Sequence, residues 1–439
     1  MRTILAPPAV RARPPLLPFA AVGTGIAWSA VATRAPAPEV ALTLSILAVV
    51  AFFAFLLIGR RRLATAFLLA GVLTMTWNGV RLAGWATLSD GLLVVALLLS
   101  LPEISFPLRQ VPRSPIYIAV FLIVFGGIAG TIFATTDSAE STSRILRFGI
   151  ASVGMLFLVS TIGRDYRKLN LLLAGFIGST VASTAFGMVM EGGMGRIDGL
   201  AIHPNHLAQA QVLSLGPLIV FWSTARGMNR FGLGAMVVLL SLGVLDTGSR
   251  GSLIGTIALV GLAVVLLKSG RVAVLAGAGT IAMVLVLIGI ITVPGSNAFA
   301  RLLYVDGSGS AASDAGRAIL LQKNLDLVSQ SPILGRGFEN VLEAHNIYIQ
   351  LLVGAGVFGL MGAGLLVAST VSWLLVRPTR PSSIAVLGCG LGFFGFLVAG
   401  LVQNQLWDRF LWFLPAVATH TFWIAKAGTD RDRHSSVTR

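Results

Sequence analysis

The chain has 439 residues, of which 55% are hydrophobic and 11% charged, with a mean hydropathy of +0.87 and a formal net charge of +15. A soluble domain carries roughly 25% charged residues, so a soluble globular class is excluded. The basic excess suggests a polyanion partner, but its distribution along the chain removes nucleic acid as one.

Apolar runs of about 18 to 25 residues recur from Leu16 to Ile424. Each can cross a hydrocarbon core of ~30 Å as a helix that satisfies its own backbone. Fourteen candidate spans centre near Ile26, Val49, Leu73, Val94, Val124, Gly154, Ile177, Ser214, Val238, Ala258, Met283, Gly359, Gly392 and Ala416. The fourth contains Asp90, and a very tight turn joins the ninth and tenth, so a count of twelve or thirteen stays open. The expected fold is an all-α polytopic membrane protein of about 12–14 transmembrane helices. It forms a single integral membrane domain over residues 1–439, with one long external loop at 294–344. Ala30-Val31-Ala32 could imitate a signal-peptidase site, yet an uncleaved first helix is expected because removing it would break the charge pattern that follows. Cys389, the only cysteine, lies mid-run and is expected to be a packed core thiol. Gly126/Gly130, Gly251/Gly255 and Gly388/Gly392 have the spacing of close helix packing.

With a cytoplasmic N-terminus, the inner segments hold 21 of the 32 Lys and Arg and four acidic residues: Glu103, Asp165, Asp430 and Asp432. The outer half receives 11 basic and 13 acidic residues. This is the positive-inside pattern, which also puts the C-terminus inside. The net charge is topological, and a multi-pass membrane protein, among membrane lipids, is expected.

Four outer segments stand apart because they carry arginine or histidine where the positive-inside tendency disfavours it. In chain order they are Gly195-Arg196-Ile197-Asp198-Gly199 with His203-Pro204-Asn205-His206; Asp246-Thr247-Gly248-Ser249-Arg250-Gly251; the long loop, with Arg301, Arg317 and Arg336; and His345-Asn346-Ile347-Tyr348. Each has an ordinary alternative. Arg196 could pair with Asp198, His203 could start a helix, and Arg250 could neutralise Asp246. Arg317 could be a solvated residue of an amphipathic helix over Asp314–Gln330, with Ala318, Leu321, Leu325 and Val328 on its apolar face. His345-Asn346 could cap the next span. Their shared side of the membrane favours a common purpose.

Several guanidinium groups with little local acid form a receptor for phosphate or diphosphate. A histidine among them can take or give a proton near neutral pH. At an outer-leaflet surface this chemistry suits a lipid diphosphate whose tail stays in the membrane. No HExxH, P-loop or paired-cysteine motif occurs, and Asp430-Arg431-Asp432 lies on the inner side, so no metal centre and no cofactor are expected.

Arg196 to His206, Thr247-Gly248-Ser249-Arg250-Gly251 and Ser331 to Phe338 lead up to Ala344-His345-Asn346-Ile347-Tyr348 and Gly356-Val357-Phe358-Gly359-Leu360. Together these stretches resemble the O-antigen ligase and polymerase superfamily, with the similarity running from about Arg196 to Leu360. The resemblance implies metal-independent, inverting transfer of a glycan from a polyprenyl diphosphate to an acceptor hydroxyl at the outer face. The family's recurrent arginines and histidine correspond to Arg250, Arg317 and His345, with Arg196 beside them. Its long loop is often larger than Pro294–Ala344, and its members commonly have about twelve spans.

On this reading Arg250 and Arg317 hold the diphosphate and stabilise the charge that grows on it, with Arg336 and Arg196 as secondary candidates. His345 accepts or orients the acceptor's proton. Asn346, His203, Asn205, Ser249 and Tyr348 are candidate substrate contacts, and the Asp314–Gln330 helix closes the site. The partners are a polyprenyl-diphosphate-linked glycan and a glycan, lipid or protein acceptor with a free hydroxyl. Ligase is favoured over polymerase. A transporter or flippase of an anionic lipid or solute, or a scaffold protein, are the readings from other classes.

Overall fold

The computed structural model describes residues 59–437 except 84–85, 104–113, 135–137, 164, 192–195, 288–307, 339–344 and 378–379. The first two candidate spans, Ala30-Val31-Ala32, Arg301 and the two ends of the 294–344 loop lie outside the described residues.

The chain is an all-α membrane protein. Its helices are α1 (Arg60–Leu73), α2 (Leu88–Ser100), α3 (Pro115–Ala134), α4 (Ser138–Gly149), α5 (Met155–Ile162), α6 (Tyr166–Met190) and α7 (Pro204–Thr224). These are followed by α8 (Asn229–Asp246), α9 (Arg250–Leu267), α10 (Gly270–Leu287), α11 (Ser308–Gln330), α12 (Ile347–Leu374), α13 (Pro381–Ala399) and α14 (Arg409–Val437). Eight spans among the described residues are long and apolar enough to cross a bilayer. They are α3, the continuous run through α4 and α5, α6, α7, α8, α9, α12 and α13. A π turn at Ile150–Gly154 joins α4 to α5, and helix runs on through it from Ser138 to Ile162.

The third and fourth candidate spans depart most from expectation. The third run does not continue through its expected centre at Leu73, because α1 stops there. A two-stranded hairpin, β1 (Arg81–Ala83) and β2 (Ala86–Thr87), then leads into α2. With 14 and 13 residues, α1 and α2 reach only about 20 Å each. The break is tolerated because the freed backbone finds protein partners. Gly79 N donates to Leu200 O at 3.0 Å, and Asn78 Oδ1 accepts from Ile202 N at 2.9 Å. Non-helical backbone at membrane depth survives only under such cover. Asp90, which weakened the fourth span, is a first-turn residue whose carboxylate closes a capping box with Thr87.

Small residues set the helix contacts, as their spacing implied. A Cβ on Gly130 would meet Gly337 N at 2.5 Å, and one on Gly388 would meet Pro217 Cα at 2.6 Å. Gly126 faces Ala355, and Gly255 faces Gly395. Cys389 is fully buried as a free thiol.

α12 is broken. Gly356 has φ 59° and ψ −148°, a conformation open essentially to glycine alone. The segment Ser331–Phe338 fills the break: Val357 N donates to Pro332 O and Ile333 O at 3.1 Å, Arg336 N to Val353 O at 2.7 Å, and Gly337 N to Gly354 O at 3.0 Å. The Phe338 ring occupies the space a side chain on Gly354 would need and meets Trp407 edge-on at 4.9 Å. Two of the stretches that carry the family resemblance are therefore one joint, locking the end of the long loop into a membrane helix.

Candidate functional site

The tight turn between α8 and α9 is made by Gly248 at φ 63°, which lets the chain reverse without a Cβ clash. Ser249 stands at the N-cap of α9, and Arg250 is its first helical residue. The Ser249 side chain does not cap the helix. Its hydroxyl instead accepts from Gln403 Nε2 at 2.6 Å and donates to Ser252 Oγ at 3.2 Å. The α9 N-terminus thus brings first-turn N–H groups and the positive end of its dipole to the same place as the Arg250 guanidinium, an arrangement suited to an anion.

The Arg196 loop is stitched to this turn. Arg196 Nε donates to Thr247 O at 2.6 Å and Nη2 to Asn205 Oδ1 at 2.9 Å, while Ile197 N donates to Asp246 O at 3.2 Å. Beneath it Glu191 Oε2 accepts from Asp198 N at 2.8 Å and Gly199 N at 3.1 Å. Burial and the nearby Glu191 carboxylate push the Asp198 carboxyl up to about 6.

α11 supplies the third wall. It begins at Ser308, six residues before the expected Asp314, and its stripe is rotated from the expected one. Ala318 and Leu325 face outward, while Arg317, Leu320, Leu321, Asn324, Leu327 and Val328 turn inward. The helical period was right, but the inward face is set by Arg317 and the fully buried Asn324 as well as by leucines. Asp314, on the same face, lies 2.8 Å from Arg250 Nη1 and 3.7 Å from Arg317 Nη1. Arg250 Nε and Nη2 and Arg317 Nε are buried with no hydrogen-bond partner among the described residues.

These walls enclose a cavity of about 190 Å³ lined by Arg196, Asn205, Gly248, Ser249, Arg250, Gly251, Ile254, Arg317, His345, Val402 and Gln403. Six of the ten sequence candidates therefore meet: Arg196, Asn205, Ser249, Arg250, Arg317 and His345. His345 has φ 49°, a left-handed conformation that costs a non-glycine residue about 1–2 kcal/mol.

The other four do not line the cavity, and each has a structural task. Asn346 caps α12, accepting from Tyr348 N at 3.0 Å and Ile349 N at 3.1 Å, and its Nδ2 donates to Leu401 O at 3.0 Å. Tyr348 OH donates to Leu397 O at 2.8 Å within an apolar layer. His203 caps α7, its Nδ1 accepting from Asn205 N at 3.1 Å. Arg336 donates to Gln330 Oε1 beside the α12 break.

Two features were missed in the sequence. Gln403 lines the cavity and ties Ser249 to Gln209, whose Nε2 donates to Gln403 Oε1 at 2.5 Å. The available signal was the amide run Gln403-Asn404-Gln405 between two apolar stretches. The second is a buried ionic cluster. His206 Nδ1 lies 2.8 Å from Asp408 Oδ2, and Arg409 reaches Asp90 Oδ1 at 2.7 Å and Ser89 Oγ at 3.0 Å. The adjacent charges Asp408-Arg409 at the head of an apolar run were its signal.

A separate cavity of about 250 Å³ is lined by Arg61, Glu103, Asp165 and Lys168, among others. Residues assigned to inner and to outer segments thus converge in two different cavities. α6 starts beside one and ends, 25 residues on, below the Arg196 loop of the other.

Residues 235–364 match the family model described as O-antigen ligase. The match takes in the Arg250 turn, α9, α11, the α12 joint and His345, and supports the O-antigen ligase superfamily for this chain. None of the curated proteins compared with the chain matches it.

Proposed function

We propose that this O-antigen ligase-like membrane protein is a metal-independent, inverting glycosyltransferase that moves a glycan from a polyprenyl diphosphate to an acceptor hydroxyl at the outer face of the plasma membrane. The observation that carries the proposal is the shared cavity of Arg250, Arg317, Arg196 and His345, where buried guanidinium donors of Arg250 and Arg317 have no hydrogen-bond partner among the described residues. A diphosphate would satisfy those donors with paired, charge-assisted hydrogen bonds.

In the reaction the acceptor oxygen attacks the anomeric carbon from the face opposite the diphosphate. As that bond forms, the anomeric C–O bond to the diphosphate breaks and its electron pair leaves on the phosphate oxygen. Arg250, Arg317 and the N-terminus of α9 stabilise the negative charge that develops there. His345 accepts the acceptor's hydroxyl proton. A diphosphate leaves without protonation, so a strong acid is unnecessary, and the charge compensation a metal would supply comes from arginine. Ile254 and Val402, exposed apolar residues on the rim, offer the isoprenoid tail a way out to lipid.

The test is reconstitution of purified protein with a polyprenyl-diphosphate glycan and candidate acceptors, with and without a chelator. Transfer to one acceptor as a single mass shift supports a ligase, the favoured reading, and a ladder of lengths supports a polymerase. Absence of any transfer, with uptake of the lipid or solute into vesicles instead, would sink the enzyme reading.

A further inference from the structure

Among the described residues the Asp314 carboxylate lies against both members of the arginine pair, and how it is placed is informative. It bridges two elements, taking Arg250 Nη1 at the head of α9 at 2.8 Å and approaching Arg317 Nη1 on its own helix at 3.7 Å. A carboxylate that simply neutralised Arg250 would take the side-on edge, where Nε–H and one Nη–H run parallel and bind both carboxylate oxygens. Asp314 instead takes the end of the guanidinium. That leaves Nε and Nη2 buried and without a partner among the described residues. Those two atoms form the bidentate fork that matches two oxygens of a phosphate. The arrangement is also reinforced from behind, since Gln403 fixes Ser249, the residue before Arg250, and lies where any side chain on Gly251 would stand.

We infer that Asp314 is a positioning residue, which holds Arg250 by Nη1 so that its Nε/Nη2 fork is presented to the donor diphosphate, and which docks α11 onto the N-terminus of α9 in doing so. The inference rests on the diphosphate reading of this cavity. It also explains why a carboxylate is present in a site meant for an anion. Asp314 stays in place during the reaction, and the charge it removes from the arginine pair is offset by the fork geometry it enforces. A competing carboxylate, displaced by the donor, would have occupied the fork itself.

The two roles predict opposite kinetics. The test uses the full-length protein in detergent or proteoliposomes, with a polyprenyl-diphosphate glycan as donor, comparing wild type with Asp314→Asn, Asp314→Glu and Arg250→Ala. For Asp314→Asn we expect kcat to fall by about ten- to a hundredfold, because a misdirected fork loses contact with the leaving group. Donor KM should be unchanged or lower, because net positive charge has risen. Asp314→Glu, which keeps the charge, should recover a substantial part of kcat. A kcat for Asp314→Asn equal to or above wild type overturns the inference, whether KM falls, as for a displaced competitor, or not. A loss of melting temperature with normal kcat per folded molecule overturns it too, since that is a structural salt bridge only. Arg250→Ala separates the two levels: if it retains full transfer, the diphosphate reading itself fails, and if it is inactive while Asp314→Asn is normal, only the positioning role fails.

Discussion

Two polar clusters in this molecule use the same residue types and differ in whether they are finished. One joins Arg409, Asp90, Ser89, Thr87, Asp408 and His206; the other joins Arg250, Arg317, Asp314, Arg196 and His345. In the first, Arg409 spends Nη1 on Asp90, Nε on Ser89 Oγ and Nη2 on Thr87 Oγ1, and it is 8% exposed. Asp408, 5% exposed, is held by His206 at 2.8 Å and by Arg147 at 3.8 Å, and these cations keep its carboxyl below the usual range although burial pushes it up. In the second, Arg250 Nε and Nη2 and Arg317 Nε have no hydrogen-bond partner among the described residues, and a cavity stands beside them. A buried charge with its donors satisfied needs no further partner, whereas buried donors left over call for an explanation, which the proposed diphosphate supplies. The finished cluster also lies at helix starts, with Asp90, His206 and Arg409 all in first turns, and not at mid-helix where a transporter keeps its ionisable groups.

The comparison is broken or sharpened first at Arg409. Arg409→Ala strands Asp90 and removes a partner of Asp408, so it should cost about 3–5 kcal/mol of stability. Thermal melting and the yield of monodisperse protein measure this, and a normal melt would show the cluster to be dispensable. Arg250→Ala should behave in the opposite way. Its stability should change little, while kcat/KM falls by roughly 10²–10³, equivalent to about 2.7–4 kcal/mol of transition-state stabilisation. An Arg250→Ala protein that melts early and still turns over normally would exchange the roles of the two clusters.

His345 sharpens the second cluster further. Alanine would confound loss of the imidazole with backbone strain at φ 49°, so asparagine, which tolerates left-handed backbone, is the better probe. His345→Asn should lower kcat by about 10²-fold at neutral pH and abolish the acidic limb of the pH–rate profile that a protonatable base produces. A profile identical to wild type would remove the proton-acceptor role and leave His345 a wall of the cavity.

Much of this was legible in the sequence because the membrane imposes long-range order on it. Hydropathy and the positive-inside rule place Arg196, Arg250, Arg317 and His345 on one side without any knowledge of contacts, and the cavity gathers all four. Other features depend on three-dimensional partners that periodicity does not carry. Leu73 sits in an unbroken apolar run, and the helix ends there because the 200–202 loop receives the backbone that follows. The register of α11 could not be told from leucine spacing, since a buried arginine and asparagine share its inner face. Gln403 carries no signal beyond the amide run it opens, and its importance comes from reaching Ser249 across 154 residues. His203, Asn346 and Tyr348 have residue types that suit substrate contact, and the structure places them outside the cavity, bonded to the local backbone as caps and ties.

The smallest effect concerns the loop that carries Arg196 to the cavity. The Asp198 carboxyl is raised to about 6 by burial and by Glu191, whose Oε2 already accepts from the backbone of residues 198 and 199. A carboxyl raised in the fold favours the protonated form, so its stabilising contribution is complete below about pH 4 and is lost as pH rises through about 6. At neutral pH two like charges then share the base of the loop. Asp198 is only partly buried, so solvent screens the penalty, and the expected difference is modest. Between pH 5 and 7 the melting temperature of wild type should decline by about 1–2 °C relative to Asp198→Asn, which cannot ionise. Parallel curves for the two proteins across that interval would mean that the carboxyl pair places no stress on the loop. The hydrogen bonds of Arg196 to Thr247 O and Asn205 Oδ1 would then hold the loop without strain from below.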